Sequence, residues 1–558
     1  MKPTLTEPPM TIAAVERQLR DLALLQKSLF AEVSRLKSQA NRDKSAIISM
    51  FPTEITQLIF FFCLPDLTRE DLDEDNRVQM KRTAAPLVLG HICRIWREIA
   101  WGTPELWHKL TLYMFPRNQA LQAWMVANWL DRTAQFPLDI TIYSYASKAV
   151  KHRMALRDDH AISFFHVLKR ESCRWRSLRL RVPADSLFYL NKVLNAAGRR
   201  SEPLSPVLEE LSIETFSVGL RHFIPLQIWH LAPHLKMVQL GSHAELNEII
   251  TNWRNLTSFS VGRLTVKELH EVLSKSIYLV NCRVSRLMPS PDQDNDILVH
   301  HHLRRLELLK DASPEGRAFA SFLANVSLTR LEELDVTLSH FIDVYVSFIQ
   351  RSRCPLRRMK VYFAHHVPQS GVVELLRATP SLEVLHICIR PDNAWVMKTI
   401  GSKFLRLLSR PGSSYQDVTT RYDEDIEPAG GEEVPLLPRL RDLELDGPVN
   451  FDWTVLCNFL ESRYYTEPTV NGDVGRTPFC TLRSFRVTIH DTKPIPDTYL
   501  DEDVIACLRG LTADGFAVSI EYPDEGDKSM KSPTMVDLIE VSATRCETLR
   551  YLESLITD

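Results

Sequence analysis

Apolar residues follow three different rhythms along this chain. From residue 12 to residue 36 they stand at Ile12, Val15, Leu19, Leu22, Leu29, Val33 and Leu36, with Gln26 at the one polar position of the series. The steps alternate three and four, so this is a heptad seam of roughly three and a half repeats. Neither Gly nor Pro interrupts it, and the spacing predicts one long amphipathic helix. Two readings stay open. The helix folds back onto its own domain, or it forms a coiled coil with itself or another chain, in which Gln26 would define register at some cost in stability.

The second rhythm runs from Phe51 to Leu110. Pro52 suits the first turn of a helix, where a missing N–H costs nothing. Ile55, Leu58, Ile59 and Phe62 then make a stripe at i, i+3, i+4 and i+7, while Phe60, Phe61, Cys63 and Leu64 extend the apolar surface to other sides. A short helix that apolar is expected to be covered on several faces, by its own domain and by a partner. Pro65 ends it, and the charged stretch Asp66 to Thr83 reads as an exposed loop. A second helix is expected after Pro86, with Val88, Leu89, Ile92, Cys93, Trp96, Ile99 and Ala100 on its apolar side. Thr103-Pro104 has the form of a cap followed by proline at the first helical position. It predicts a short third helix carrying Leu106, Trp107 and Leu110.

The third rhythm fills the rest. Leucine, two residues, an apolar residue, one residue and a further apolar residue recur as Leu208/Leu211/Ile213, Leu235/Val238/Leu240, Leu256/Phe259/Val261, Leu279/Cys282/Val284 and Leu303/Leu306/Leu308. The series continues with Leu331/Leu334/Val336, Leu356/Met359/Val361, Leu382/Leu385/Ile387, Leu440/Leu443/Leu445 and Leu482/Phe485/Val487, and Trp175/Leu178/Leu180 is a weaker first member. Starts from Leu235 to Leu382 lie roughly 21 to 28 residues apart, the period of leucine-rich repeats. Helical stripes lie between them: Leu246, Ile249, Ile250 and Trp253, then Phe319, Phe322, Leu323 and Val326, then Val372, Leu375 and Leu376. Each unit therefore reads as a short strand plus a helix, stacked with a parallel sheet. Two stretches break the series. Ser409 to Pro438 and Thr466 to Thr477 have the composition of exposed loops. Pro137 to Ile142 alternates like a strand.

Residues 51 to 107 resemble an F-box, in the form common in large sets of fungal receptor-like proteins. The resemblance implies a helical module that docks a Skp-type adaptor of a cullin ubiquitin ligase. Carried onto this sequence, it implies that Pro52, Glu54, Ile55, Ile59, Phe60 and Leu64 supply the adaptor interface and small core from the first half. Cys93, Trp96, Arg97 and Ala100 do so from the second, with Leu106 and Trp107 closing the module. Phe51 stands where leucine is usual, and the loop Asp66 to Thr83 is longer than in the compact module. The array looks like the repeat domain of F-box/leucine-rich-repeat receptors, although the Asn or Cys usual after the strand is mostly missing. Val336 is followed by Thr-Leu-Ser-His, and Leu445 by Asp-Gly-Pro.

The expected fold class is α/β, a helical F-box-like module followed by an irregular leucine-rich-repeat solenoid with a parallel β-sheet. The expected division is 1–46 for the seam helix, 47–112 for the module and 113–170 for a linker region. The solenoid then covers 171–558, with an exposed insertion at 409–438. The implied function is the substrate-recognition subunit of an SCF-type ubiquitin ligase, with catalysis left to other subunits. The rival reading is an interaction scaffold outside any ligase, a homodimer through residues 12–36.

Composition narrows the partners. The 558 residues carry a formal net charge of -3, with 44% hydrophobic and 25% charged residues. That balance argues against bulk binding to nucleic acid or an anionic membrane. The ten cysteines include no C-x-x-C pair, as expected of thiols in a reducing compartment, and cytoplasm or nucleus is the expectation. No phosphate-binding loop, dinucleotide fingerprint, nucleophile elbow or zinc-protease motif occurs, so neither enzyme activity nor a cofactor is expected. His300-His301-His302 and His365-His366 lack matched Cys or carboxylate spacing, and no metal is expected there.

What remains is a recognition surface. Strand side chains alternate, so residues between the apolar positions should point outward. These are Arg305 and Glu307, Glu333 and Asp335, Arg358 and Lys360, Val384 and His386, then Asp442, Glu444 and Asp446, then Arg486. Their charge changes sign along the array, as suits an unidentified protein substrate of complementary charge.

Overall fold

The computed structural model describes residues 12–44, 51–64, 85–114, 119–144, 158–195, 205–216, 232–241, 253–290, 296–313, 316–363, 367–389, 401–409, 436–448, 451–464, 482–489, 499–523 and 535–557. The stretch Asp66 to Thr83, nearly all of the 409–438 insertion, Thr466 to Thr477, the stripe residues Leu246, Ile249 and Ile250, and His365-His366 lie outside these. The chain forms two compact units, Met1–Glu210 with Val218–Leu220 and Leu211–Ser217 with Arg221–Asp558. No helix among the described residues is long and apolar enough to cross a membrane.

In the first unit the seam folds as one helix, α1 (Ile12–Lys44), with its apolar residues in the open: Ile12 is 80% exposed and Leu19 61%. Helix α2 (Thr53–Phe62) starts where Pro52, with ψ 155, holds its carbonyl toward the Ile55 and Thr56 N–H groups, each at 3.1 Å. The single second helix expected after Pro86 is two helices, α3 (Ala85–Ile92) and α4 (Arg94–Trp101). Cys93 breaks it by adopting extended backbone, and its sulfur accepts the Trp96 N–H at 3.4 Å. The expected third helix is one turn of 3-10 helix, Pro104–Leu106. Thr103 does not cap it; its hydroxyl donates back to the Ile99 carbonyl at 2.7 Å. Leu110 belongs instead to the first strand.

That strand, β1 (Lys109–Met114), pairs in parallel with β2 (Leu138–Ser144), and β2 with β3 (Trp175–Pro183). Helices α5 (Gln119–Leu130), α6 (Asp158–Arg170) and α7 (Ala184–Asn195) pack in series, α5 on α6 and α6 on α7. Lys169 ties that series by donating to the last carbonyls of α7, at Val193 (2.5 Å) and Leu194 (3.1 Å), where the helix dipole favours a cation.

The second unit is a large, mainly parallel sheet whose last pair is antiparallel. Its strands are β4 (Glu210–Phe216), β5 (Met237–Leu240), β6 (Ser258–Val261), β8 (Asn281–Val284), β11 (Arg305–Leu308), β13 (Glu333–Leu338), β14 (Arg358–Phe363), β15 (Val384–Ile389), β16 (Asp442–Asp446), β17 (Ser484–Thr488), β18 (Ala517–Pro523) and β19 (Met535–Asp537), neighbours in that order. The short strands β7 (Leu264–Thr265), β9 (Leu287–Met288), β10 (Leu298–His300) and β12 (Val326–Leu328) form two small sheets, β7 with β9 and β10 with β12.

Helices α8 (Val266–Lys275), α9 (Arg317–Ala324), α10 (Ile342–Ser352), α11 (Gln369–Arg377), α12 (Ser402–Leu408), α13 (Trp453–Tyr464), α14 (Glu502–Ala513) and α15 (Leu538–Thr557) are interspersed among the strands, one between each neighbouring pair from β11 to β18. Register explains the sequence rhythm. Leu306, Leu334, Met359, Leu385, Leu443 and Phe485 are paired neighbours across six strands, and all are at most 1% exposed. The leading leucine of each hexad from Leu235 to Leu482 is buried just before its strand. Parallel strands covered by helices need this apolar row on one face only, and the other face is left for polar side chains.

Candidate functional site

Two surfaces carry the residues singled out by the sequence, one in each unit. In the first unit, Phe60, Ala100, Leu106 and Trp107 are buried together with Leu89. Trp96 packs its ring on Phe60 with centroids 4.8 Å apart, and Leu64 lies partly buried against the same core. Of the residues given to the adaptor interface and small core, Phe60, Ala100, Leu106 and Trp107 are at most 2% exposed and form that core. Cys93 is spent on the helix break. Arg97 donates from Nε to the Gly90 carbonyl at 2.8 Å and lies over the Trp101 ring, so it braces α3 against α4.

What α2 does present outward is Pro52, Glu54 and Ile55, with Ile59 half-buried. Sequence reasoning left four more apolar residues out of the interface set. Leu58 is 54% exposed, Phe62 82%, and Phe61 and Val88 are also open. Phe61 and Phe62 are not distinguishable from Phe60 by residue type; only the packing of α2 on α4 decides which ring points inward.

In the second unit, ten of the eleven charged or imidazole residues singled out for a partner stand on the polar face in two rows, and Asp446 stands beyond them beside Cys388. Arg305, Glu333, Arg358, Val384, Asp442 and Ser484 are register neighbours in one. Glu307, Asp335, Lys360, His386, Glu444 and Arg486 are neighbours in the other, which Arg283 extends beyond Glu307. Adjacent strands lie about 4.8 Å apart, so neighbours of opposite sign pair laterally. Arg305 reaches Glu307 at 2.8 Å, Glu333 at 3.4 Å and Asp335 at 4.0 Å, and Arg283 reaches Glu307 at 3.3 Å. Glu307 therefore departs from expectation. It is buried at 8% exposure under two guanidinium groups, and is a strut of the face rather than a free contact.

Burial, reinforced by the neighbouring Glu307 charge, lifts the Asp335 carboxyl above its usual range despite Arg305 and Lys360. The folded chain then holds this proton more tightly than the unfolded chain. The contribution favours folding below the unfolded carboxylate value of about 3.9 and is lost as pH rises through the folded value. Asp335→Asn should accordingly stabilise the protein at pH 7, by no more than about 1 kcal/mol because the row still meets solvent. Urea titrations at pH 7 and pH 3 should show that gain at the higher pH and its disappearance at the lower.

Burial also lowers the His386 imidazole, with Glu444 opposing, and pushes the Cys388 thiol up to about 12. Both groups are neutral at pH 7. Cys388 sits on the polar face beside Tyr362 and Asp446, its register partners on β14 and β16. Sequence reading missed it because it lies between isoleucines and reads as core. The His300-His301-His302 run splits: His300 is buried with Nε2 3.0 Å from the Ser276 carbonyl, while His301 is exposed and 3.1 Å from the Thr329 hydroxyl.

No protein-family model matches the chain, and no curated protein matches it in sequence. A chain in the structure titled "Crystal structure of Rad7 and Elc1 complex in yeast" is similar at 13% sequence identity and a TM-score of 0.30. The match covers 69% of this chain and 95% of that one. A likeness that loose carries no argument about fold or partner.

Proposed function

We propose that this chain is a protein-recognition subunit of an SCF-type ubiquitin ligase. The F-box-like module docks a Skp-type adaptor within the cullin complex, and the strand-and-helix array, read as an irregular leucine-rich-repeat solenoid, holds a protein substrate on its polar face. Catalysis belongs to other subunits, and the place of work is cytoplasm or nucleus. The observation that carries the reading is α2: a ten-residue helix whose core contact is Phe60 leaves Ile55, Leu58, Phe61 and Phe62 in the open. Apolar side chains on a short helix at that density mark a contact surface rather than a solvated one. Lateral pairing of the charged rows supports the substrate side, since it fixes the side chains before a partner arrives.

Co-purification of the full chain with a Skp-type adaptor tests this. Ile55→Asp or Phe62→Asp should weaken the complex about thirtyfold or more, as for an interface hot spot of about 2 kcal/mol, with the thermal melt unchanged. An adaptor that never forms a complex, or that binds both variants as it binds the parent, would sink the reading. Reversing Arg358 and Lys360 should weaken a captured substrate while leaving the adaptor bound.

The exposed seam of α1 favours one second reading, a scaffold that dimerises outside any ligase. Sedimentation of the full chain decides it: a monomer that persists at high concentration rules the dimer out.

A further inference from the structure

One cluster on the polar face is built from donor atoms rather than charge pairs. His386 and Cys388 stand two residues apart on β15, so their side chains share a face. Asp446 on β16 is the register partner of Cys388, and Glu444 that of His386. One ligand atom from each of His386, Cys388 and Asp446 lies within 4.8 Å of the other two. The Cys388 sulfur is 3.1 Å from His386 Nε2. On the far side of the ring, Nδ1 is 3.4 Å from Glu444 Oε2. A carboxylate behind the imidazole places the proton on Nδ1 and leaves the Nε2 lone pair facing the sulfur, the orientation a metal-ligating histidine needs. The backbone is tight here as well. Gly447, next to Asp446, has φ 137, and a Cβ on it would collide with the Ile389 carbonyl. The C-terminal ends of β15 and β16, at Ile389 and Asp446, are thereby held close.

We propose that His386 Nε2, Cys388 Sγ and the Asp446 carboxylate bind one divalent cation of the zinc class, the Cys388 thiol giving up its proton to solvent as the metal–sulfur bond forms, with Glu444 orienting the imidazole. A sulfur donor disfavours magnesium and calcium, and one sulfur, one nitrogen and one oxygen suit zinc. Zinc bond lengths of about 2.3 Å to sulfur and about 2.0 Å to nitrogen put tetrahedral donors roughly 3.5 Å apart, so the observed pair has to part by only a few tenths of an ångström. Three protein ligands leave a fourth position open to water or to a partner's donor. The ion acts as a clasp between β15 and β16 on the recognition face. Lys360, the register partner of His386, opposes it. Its ammonium lies over the Tyr362 ring, 5.4 Å from the centroid.

The test is titration of the full chain with zinc(II) against a chromophoric chelator, with cobalt(II) as the spectroscopic probe. The parent should take up one equivalent at this site. Cys388→Ser, His386→Gln and Asp446→Asn should each lose at least tenfold in affinity, and Glu444→Gln about tenfold. Cys507→Ser should change nothing, and Lys360→Met should tighten binding. The cobalt complex should show a thiolate charge-transfer band that Cys388→Ser removes. Thermal melts without metal check that each variant folds. A parent chain that takes up no zinc, or a Cys388→Ser variant with the parent's affinity and cobalt spectrum, overturns the proposal. The site stands on its own geometry, independent of adaptor docking.

Discussion

Replacing Trp107 with alanine is expected to destabilise the first unit by about 3–5 kcal/mol, the range for deleting a fully buried large aromatic side chain. The residue is 0% exposed and its ring is used on every side. Its Nε1 donates to the Ala100 carbonyl at 2.7 Å, which closes the C-terminal turn of α4 onto the 3-10 turn. Its own carbonyl accepts from Trp129 Nε1 at 2.7 Å, and the two rings meet edge to face with centroids 4.8 Å apart. The Arg132 guanidinium lies over the Trp107 ring, 4.8 Å from the centroid. Trp107→Phe separates these effects. It keeps most of the apolar area but leaves the Ala100 carbonyl without its indole donor, which should cost about 1–3 kcal/mol. Urea titration of the full chain followed by hydrogen exchange over residues 53–62 and 94–101 reads both. An alanine variant with the parent's protection in those helices would contradict the packing described. Under the proposed adaptor docking, Trp107→Ala should lose adaptor binding together with that protection, whereas Ile55→Asp should lose the binding and keep the protection. The pair distinguishes a core residue from a contact residue.

That distinction marks where the sequence was legible and where it was not. The hexads were legible because a parallel strand covered by helices demands the same apolar positions each time. Thus Leu331, Leu334 and Val336 read the same way as Leu382, Leu385 and Ile387. The polar rows followed from the same alternation. Three features did not follow. The break at Cys93 is invisible because apolar spacing from Leu89 to Trp96 continues through it, and a single extended residue leaves no periodic trace. The burial of Glu307 depends on Arg283 and Arg305, two neighbours whose approach is fixed by strand register rather than by local pattern. The grouping of His386, Cys388 and Asp446 needs the pairing of β15 with β16, which joins residues on either side of the longest excursion between adjacent strands. In α2, residue type gives no way to tell Phe60 from Phe61 and Phe62; the helix on which it packs does.

Arg463 carries the second large effect, and its cause was equally hidden. It is a cation at 3% exposure in the middle of an apolar layer, beside Phe459 and Leu460 of the same helix. Its guanidinium is spread over three backbone carbonyls, Leu408 at 2.6 Å, Leu437 at 3.1 Å and Leu436 at 2.8 Å. These belong to the last turn of α12 and to the approach to β16, so one side chain joins the two ends of the segment between them. Leu437 has φ 51, the left-handed region that a leucine rarely adopts, and the hydrogen bond to its carbonyl helps hold it there. Arg463→Ala should cost on the order of 2–4 kcal/mol, since a buried carbonyl left unmet carries a penalty of about 1–3, the Leu408 and Leu436 bonds are not independent, and the Leu437 carbonyl keeps the Leu440 N–H at 3.2 Å. Arg463→Met keeps the stem and should recover little, because the loss lies in the carbonyls and not in the packing. Arg463→Lys should recover only part, as a compact ammonium on a shorter reach cannot match a planar fork aimed at three acceptors. Urea titration gives the order of the three variants. Hydrogen exchange at the Leu440 and Arg441 amides shows whether the approach to β16 is the part released. If methionine matches arginine, the carbonyl bonds contribute nothing net, and the guanidinium is held by its methylenes alone.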